Sequence, residues 1–265
     1  MKVLKDVMGL LYGVVELVEL GLDKLEELLK DKGDVWNKGI RNWEWSVGKV
    51  KDLGENEWLW RVMLGVSMMF NFWEDKEYGE LRSESVWEWC RGDLNEEEFL
   101  KEKWNLRRER WEIVRRVKEE FGWIYEGGRM VEGLMSGWFW EELNVVWNLG
   151  MRDVVGKKVV LFKMICEDMG WKVWKGDRWG EGCVDYNVMV MLNKLGIKKI
   201  EGRYWEKEEL DNERVWVNGW CKKVCEVKGI GGSELDGVLF MVGRMMRSEL
   251  GSNDLVAKVR GEVNY

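Results

Sequence analysis

The stretch LNVVWNLGMRDVVGKKVVLFKMIC, Leu143–Cys166, decides the fold. Apolar residues at helical spacing run up to Leu149, a short break follows from Gly150 to Gly156, and a second helix is predicted from Lys157 to about Met169. A Gly-rich stretch, Gly170–Gly182, separates it from Val184-Asp185, which opens another helix that Gly196 ends. The segment 143–195 therefore reads as helix, tight Gly-bounded hairpin, lysine-initiated helix, loop and helix.

Working outward, helical periodicity continues in both directions. Leu4, Met8, Leu11, Val15, Val18, Leu22, Leu25 and Leu29 form one stripe, broken at Gly33 and Asp34. A second helix is expected over Trp36–Val50. A third, Trp58–Phe72, is apolar nearly all round, as expected of a central helix. Asn95, with Glu98 three residues later, has the spacing of a capping box. The helix it opens carries Leu100, Trp104, Trp111, Val114, Val117 and Phe121 and is expected to stop at Gly122. Further helices are expected over Met130–Leu149, Glu213–Val227 and Ser233–Glu249. No alternating strand pattern lasts more than a few residues. The expected architecture is all-α: a single unit of 1–265 in two lobes, with 143–195 as its helix–hairpin–helix segment.

Composition bounds the interpretation. The chain has no Pro, Thr, His or Gln, and its only Ala is Ala257. Every codon for these five residue types contains cytosine, so a gene almost empty of cytosine would encode such a chain. Its 20 Trp and 15 Met follow from that restriction and do not by themselves mark a binding surface. With 46% hydrophobic and 34% charged residues, the sequence is that of a globular protein rather than a disordered one. No apolar run reaches membrane-spanning length without a charge. Asp6 and Glu16 interrupt the N-terminal apolar stretch, so no signal peptide is read there and a cytoplasmic location is expected.

The net charge of −7 is mildly unfavourable for nucleic-acid binding. A local basic run (Arg107, Arg108, Arg110, Arg115, Arg116 and Lys118) can override the sum, and a solvated helix face explains most of it equally well. The five cysteines, Cys90, Cys166, Cys183, Cys221 and Cys225, are odd in number and scattered, against a disulfide framework. Without histidine or a second close cysteine pair, no zinc site is expected.

The residues Leu143–Cys166 resemble the helix–hairpin–helix element of DNA glycosylases, and CVDYNVMVMLNKLGI, Cys183–Ile197, resembles the stretch that in that superfamily usually begins Pro-Val-Asp. Here Cys183 stands where proline is usual. Lys158-Val159-Val160-Leu161-Phe162 is similar to the Lys-x-Val-Val-Phe helix of the archaeal 8-oxoguanine DNA glycosylase/lyase group. Leu235 to Gly243 is similar to that group's closing Leu-Asp-x-x-Leu-Trp-x-x-Gly, with Phe240 replacing the tryptophan. The resemblance covers about the C-terminal half. It implies a DNA glycosylase with AP-lyase activity, active in base excision repair on damaged double-stranded DNA. It implies a monomer, no membrane, no metal and no organic cofactor.

The chemistry agrees with these residue types. Base excision needs a nucleophile at the sugar C1′ and stabilisation of the oxocarbenium-like charge that develops there. A lysine amine can attack and then form a Schiff base if it is partly deprotonated. Lys157 beside Lys158 supplies a neighbouring cation that favours deprotonation. Asp185 is expected to activate Lys158 and stabilise the cation. Gly150, Gly156 and Lys157 would hold a DNA phosphate on hairpin amides and the following helix N-terminus. The base must be everted to reach the site. By resemblance, Asp236 accepts a hydrogen bond from the purine and Phe240 stacks on it, with Trp87 as the opposing surface.

Each residue also has a plainer role. Lys158 can be a solvated first-turn lysine, Asp185 an N-cap, Asp236 part of a capping box with Ser233, and Phe240 core. Two other readings stay open: a glycosylase for another damaged or mismatched base, and a catalytically inactive reduced-alphabet helical scaffold or DNA-binding protein.

Overall fold

The computed structural model describes residues 53–68, 88–93, 95, 98, 108–150, 153–176, 182–184, 188–189, 192–193, 197, 204–205, 207–233, 235–236, 239 and 258–259. The helices expected over 4–29 and 36–50 lie outside these residues. Helix accounts for 74% of the described residues, which decides the all-α class. The one strand pairing among them is two residues long. Strand β1, Tyr204–Trp205, runs parallel to β2, Lys258–Val259, with Tyr204 opposite Lys258 and Trp205 opposite Val259.

The chain divides into two compact units. One holds residues 43–179 and Asn264; the other holds 1–42, 180–263 and Tyr265. The segment 143–195 thus begins in one unit and ends in the other.

The 43–179 unit is built on α1, Glu55–Met68. Glu55 and Glu57 place negative charge at its N-terminal end, where the helix dipole favours it. From Trp58 to Met68 every residue except Arg61 is buried, which fits the nearly all-round apolar pattern. Around it lie α2 (Arg108–Glu126), α3 (Met130–Leu134), α4 (Gly137–Trp147) and α5 (Lys157–Asp168). Helix α1 packs on α2, α3 and α5, while α4 packs on α2, α3 and α5 from another side.

Polar groups fix these helices in place. The Asn56 amide donates to the Tyr125 carbonyl at 2.8 Å, and its oxygen accepts the Met130 N–H at 3.0 Å. This ties the start of α1 to the α2–α3 connection. At the other end the buried Ser67 hydroxyl donates to the Met63 carbonyl at 2.7 Å and accepts the Trp147 indole N–H at 2.6 Å. The Ser67 carbonyl accepts the Lys158 ammonium at 3.1 Å. One residue therefore joins α1, α4 and α5.

In this unit the end of α2 and the run after it differ from the sequence expectation. Helix α2 does not stop at Gly122 but continues to Glu126. Glycine weakens a helix interior by about 1 kcal/mol, which packing of Phe121 and Ile124 overrides. The stop is made by Gly127-Gly128: Gly128 has φ +69°, its N–H bonds the Tyr125 carbonyl at 2.9 Å, and Arg129 N–H bonds Ile124 at 2.9 Å. The single helix expected over Met130–Leu149 is two, α3 and α4, separated at Met135-Ser136. Ser136 is extended, with ψ 124°. The Leu134 carbonyl, released from the helix pattern, accepts the Trp140 indole at 2.9 Å and the Trp174 N–H at 2.7 Å. The capping box is present: Asn95 and Glu98 exchange backbone-to-side-chain bonds, each 2.9 Å.

In the other unit α6, Lys207–Lys228, starts earlier than the Glu213 expected. Glu208 and Glu209 favour that earlier start. Leu210, Val217, Cys221 and Val224 form its buried stripe. The described parts of the helices expected over Asp185–Leu195 and Ser233–Glu249 are helical at 188–189, 192–193, 232–233, 235–236 and 239.

Replacing Ser67 with Ala leaves the Trp147 indole N–H buried without its acceptor, at a cost of about 1–3 kcal/mol. The urea unfolding midpoint of Ser67→Ala should fall accordingly; an unchanged midpoint would show that this bond is not structural. The cysteines give a pH signature. All five are free and buried. Burial pushes the Cys90 thiol from 9.0 up to about 12, against the lowering charges of Arg61 and Arg91. Burial, with Glu167 nearby, also holds Cys166 well above its ordinary value. The unfolded chain loses these protons first, so stability is full below about pH 9 and declines from there toward about pH 12. Cys166→Val should shrink the difference in urea midpoint between neutral pH and about pH 10.

Candidate active site

The described residues that connect α4 to α5 have backbone geometry that few residues adopt. Leu149 has φ +53°, Gly150 φ +87° and Gly156 φ +55°. Gly156 is the N-cap of α5 but, lacking a side chain, cannot satisfy the first amides. Asp153 does so instead. Its carboxylate accepts the Val155 N–H at 3.1 Å and the Lys157 N–H at 3.0 Å. Its carbonyl accepts the Gly156 N–H at 3.2 Å and the Asn144 side-chain amide at 3.1 Å. Asn144 is buried on α4, so the hairpin is clamped to the helix that precedes it.

Sequence reasoning assigned the amides of this hairpin to a DNA phosphate through Gly150, Gly156 and Lys157. In the structure an internal carboxylate takes two of them. Asp153 was not singled out from the sequence, although an Asp shortly before a predicted helix start is an N-capping signal.

Lys158 lies in the first turn of α5 and is half-buried. Its ammonium reaches the Ser67 carbonyl, near the C-terminal end of α1. The last four carbonyls of a helix lack partners within it, and that end carries partial negative charge. The position is therefore a natural seat for a lysine ammonium. Lys157, next to it, is also half-buried. Hairpin, Lys157 and Lys158 belong to the 43–179 unit; residues 185, 236 and 240 belong to the other.

Asp236 is 7% exposed, and its Oδ1 accepts the Cys183 N–H at 2.8 Å. A proline at 183 would have no N–H to give. Cys183 thus makes a bond that proline could not make. Next to it, the Val184 carbonyl accepts the Arg214 guanidinium at 3.5 Å, and Arg214 makes a charge contact with Asp211 at 3.6 Å. These contacts anchor the chain just before Asp185. Burial, with Asp236 and Cys225 nearby, pushes the Cys221 thiol well above its ordinary value. Asp185, Phe240 and Trp87 lie outside the described residues.

Two arginines of the basic run, Arg115 and Arg116, are paired with glutamates of their own helix. Arg115 pairs with Glu112 at 2.7 Å and Glu119 at 2.5 Å, and Arg116 pairs with Glu112 at 3.1 Å. The two arginines hold the Glu112 carboxyl below its ordinary range. Among the described residues, no group of three or more His, Cys, Asp or Glu is arranged to hold a metal ion, and no helix is long and apolar enough to cross a membrane.

Comparison with known proteins finds no matching family model, no curated protein similar to the chain and no similar solved structure.

Asp153→Ala removes the acceptor for two amides at the start of α5 and should lower stability by about 1–2 kcal/mol, whereas Asp153→Asn keeps one acceptor oxygen and should lose less. Urea unfolding of the three proteins checks that order.

Proposed function

We propose that the chain is a DNA glycosylase with AP-lyase activity of the helix–hairpin–helix type, excising oxidised guanine from double-stranded DNA. The observation that carries this reading is Lys158: a half-buried amine one position into a helix that follows a tight, Gly-bounded turn. On this reading the Lys158 amine leaves the Ser67 carbonyl, gives up a proton and attacks the sugar C1′. The bond from C1′ to the base breaks, and the base leaves with the electron pair and is protonated. Ring opening gives an iminium between Lys158 and the sugar, from which the 3′ phosphate is eliminated. Asp185 is the activating and charge-stabilising carboxylate, Asp236 and Phe240 read the base, and Trp87 stacks against it. The protein acts as a monomer.

Specific observations favour a second reading, a catalytically inactive helical scaffold or DNA-binding protein. The Lys158 ammonium caps α1, the buried Asp236 carboxylate accepts the Cys183 N–H, and Asp153 takes the amides of Val155 and Lys157. All three arrangements are satisfied without DNA.

Borohydride trapping separates the two. Incubated with a duplex containing 8-oxoguanine, the wild type should form a covalent adduct, Lys158→Ala should form none, and Asp185→Asn should slow excision by several orders of magnitude. Absence of an adduct with any damaged duplex selects the scaffold. An adduct that survives Lys158→Ala but not Lys157→Ala moves the nucleophile by one residue.

A further inference from the structure

A cytosine-poor gene fills a protein with tryptophan, and most of that tryptophan should go to the core. Trp58, Trp60, Trp89, Trp140, Trp147 and Trp220 do. Trp123 on α2 and Trp138 on α4 are 51% and 52% exposed, and Met135 between α3 and α4 is 53% exposed. The two indoles are neighbours, with ring centroids 6.4 Å apart and planes at 45°. Buried Phe121 supports Trp138 from beneath at 6.2 Å. The Trp123 indole N–H donates to the Glu120 carbonyl at 2.8 Å, which fixes that ring. A rigid aromatic pair facing water is a contact surface prepared before binding.

Charge selects the occupant. Glu120 and Glu126 lie three positions either side of Trp123, one helical turn away, and Glu132 lies three before Met135; all three carboxylates are exposed. Arg129 holds its guanidinium over the Trp123 ring at 4.9 Å from the centroid. A nucleic-acid backbone would meet like charge here. A guanidinium meets both groups that it binds best, an indole face and a carboxylate.

We infer that the Trp123–Trp138 face docks an arginine-rich segment of a partner protein, with guanidinium groups stacked on the indoles and paired to the neighbouring glutamates. This inference is independent of the chemistry proposed for Lys158.

The test is a fluorescence-anisotropy titration of the full chain into fluorescein-labelled nona-arginine, with nona-lysine as comparison. Wild type should bind nona-arginine more tightly than nona-lysine, because a guanidinium stacks and an ammonium does not. Trp138→Ser should weaken nona-arginine by about tenfold. Trp123→Ser combined with Trp138→Ser should remove the preference for arginine, and Trp138→Tyr, which keeps an aromatic face, should restore most of the binding. Glu126→Gln combined with Glu132→Gln should weaken both peptides. Circular dichroism of each variant confirms that helix content is kept. The inference is overturned if wild type does not bind, if nona-lysine binds equally well, or if the double serine variant binds like wild type. It is also overturned if wild type sediments as a dimer that Trp138→Ser dissolves, since the occupant is then a second copy of the chain.

Discussion

A buried hydroxyl is costly unless both its donor and its acceptor capacity are used. Ser67 uses both, and the way it does so organises the 43–179 unit. Its hydroxyl bonds back to Met63 within α1 and forward to the Trp147 indole on α4, and its carbonyl takes the Lys158 ammonium from α5. Helix α1 is buried on nearly every side and could slide or rotate among apolar neighbours with little change in buried area. Hydrogen bonds with fixed partners remove that freedom. They give a core of interchangeable apolar volume a single register.

The start of α5 shows the same economy. A helix N-terminus preceded by a glycine has amides and a dipole but no capping side chain. Either an external anion or an internal one can fill it. Asp153 is the internal solution, held by Asn144 of the preceding helix. A DNA phosphate approaching this turn would share it with a carboxylate. The reading of Lys158 as a nucleophile and the reading of this region as a self-sufficient scaffold thus differ over the same few atoms.

Legibility from the sequence followed the range of the interactions involved. Short-range signals were readable: the all-round apolar run became α1, the Asn95–Glu98 pair became a reciprocal cap, and α5 starts at Lys157 as expected. Errors came where two short-range signals competed. Gly122 looked like a terminator, but only Gly128, with its positive φ, performs that role. The split at Ser136 depends on Trp174, far along the chain, capturing the Leu134 carbonyl. At the candidate site the position of Lys158 at a helix start was visible in the sequence. Its partner Ser67, 91 residues away, was not, because no local pattern encodes a meeting between a side chain and a distant carbonyl.

The bond from the Cys183 amide to Asp236 limits which residues position 183 can hold. A main-chain donor survives exchange to any amino acid but proline, which alone would take this bond away from the buried Asp236 carboxylate.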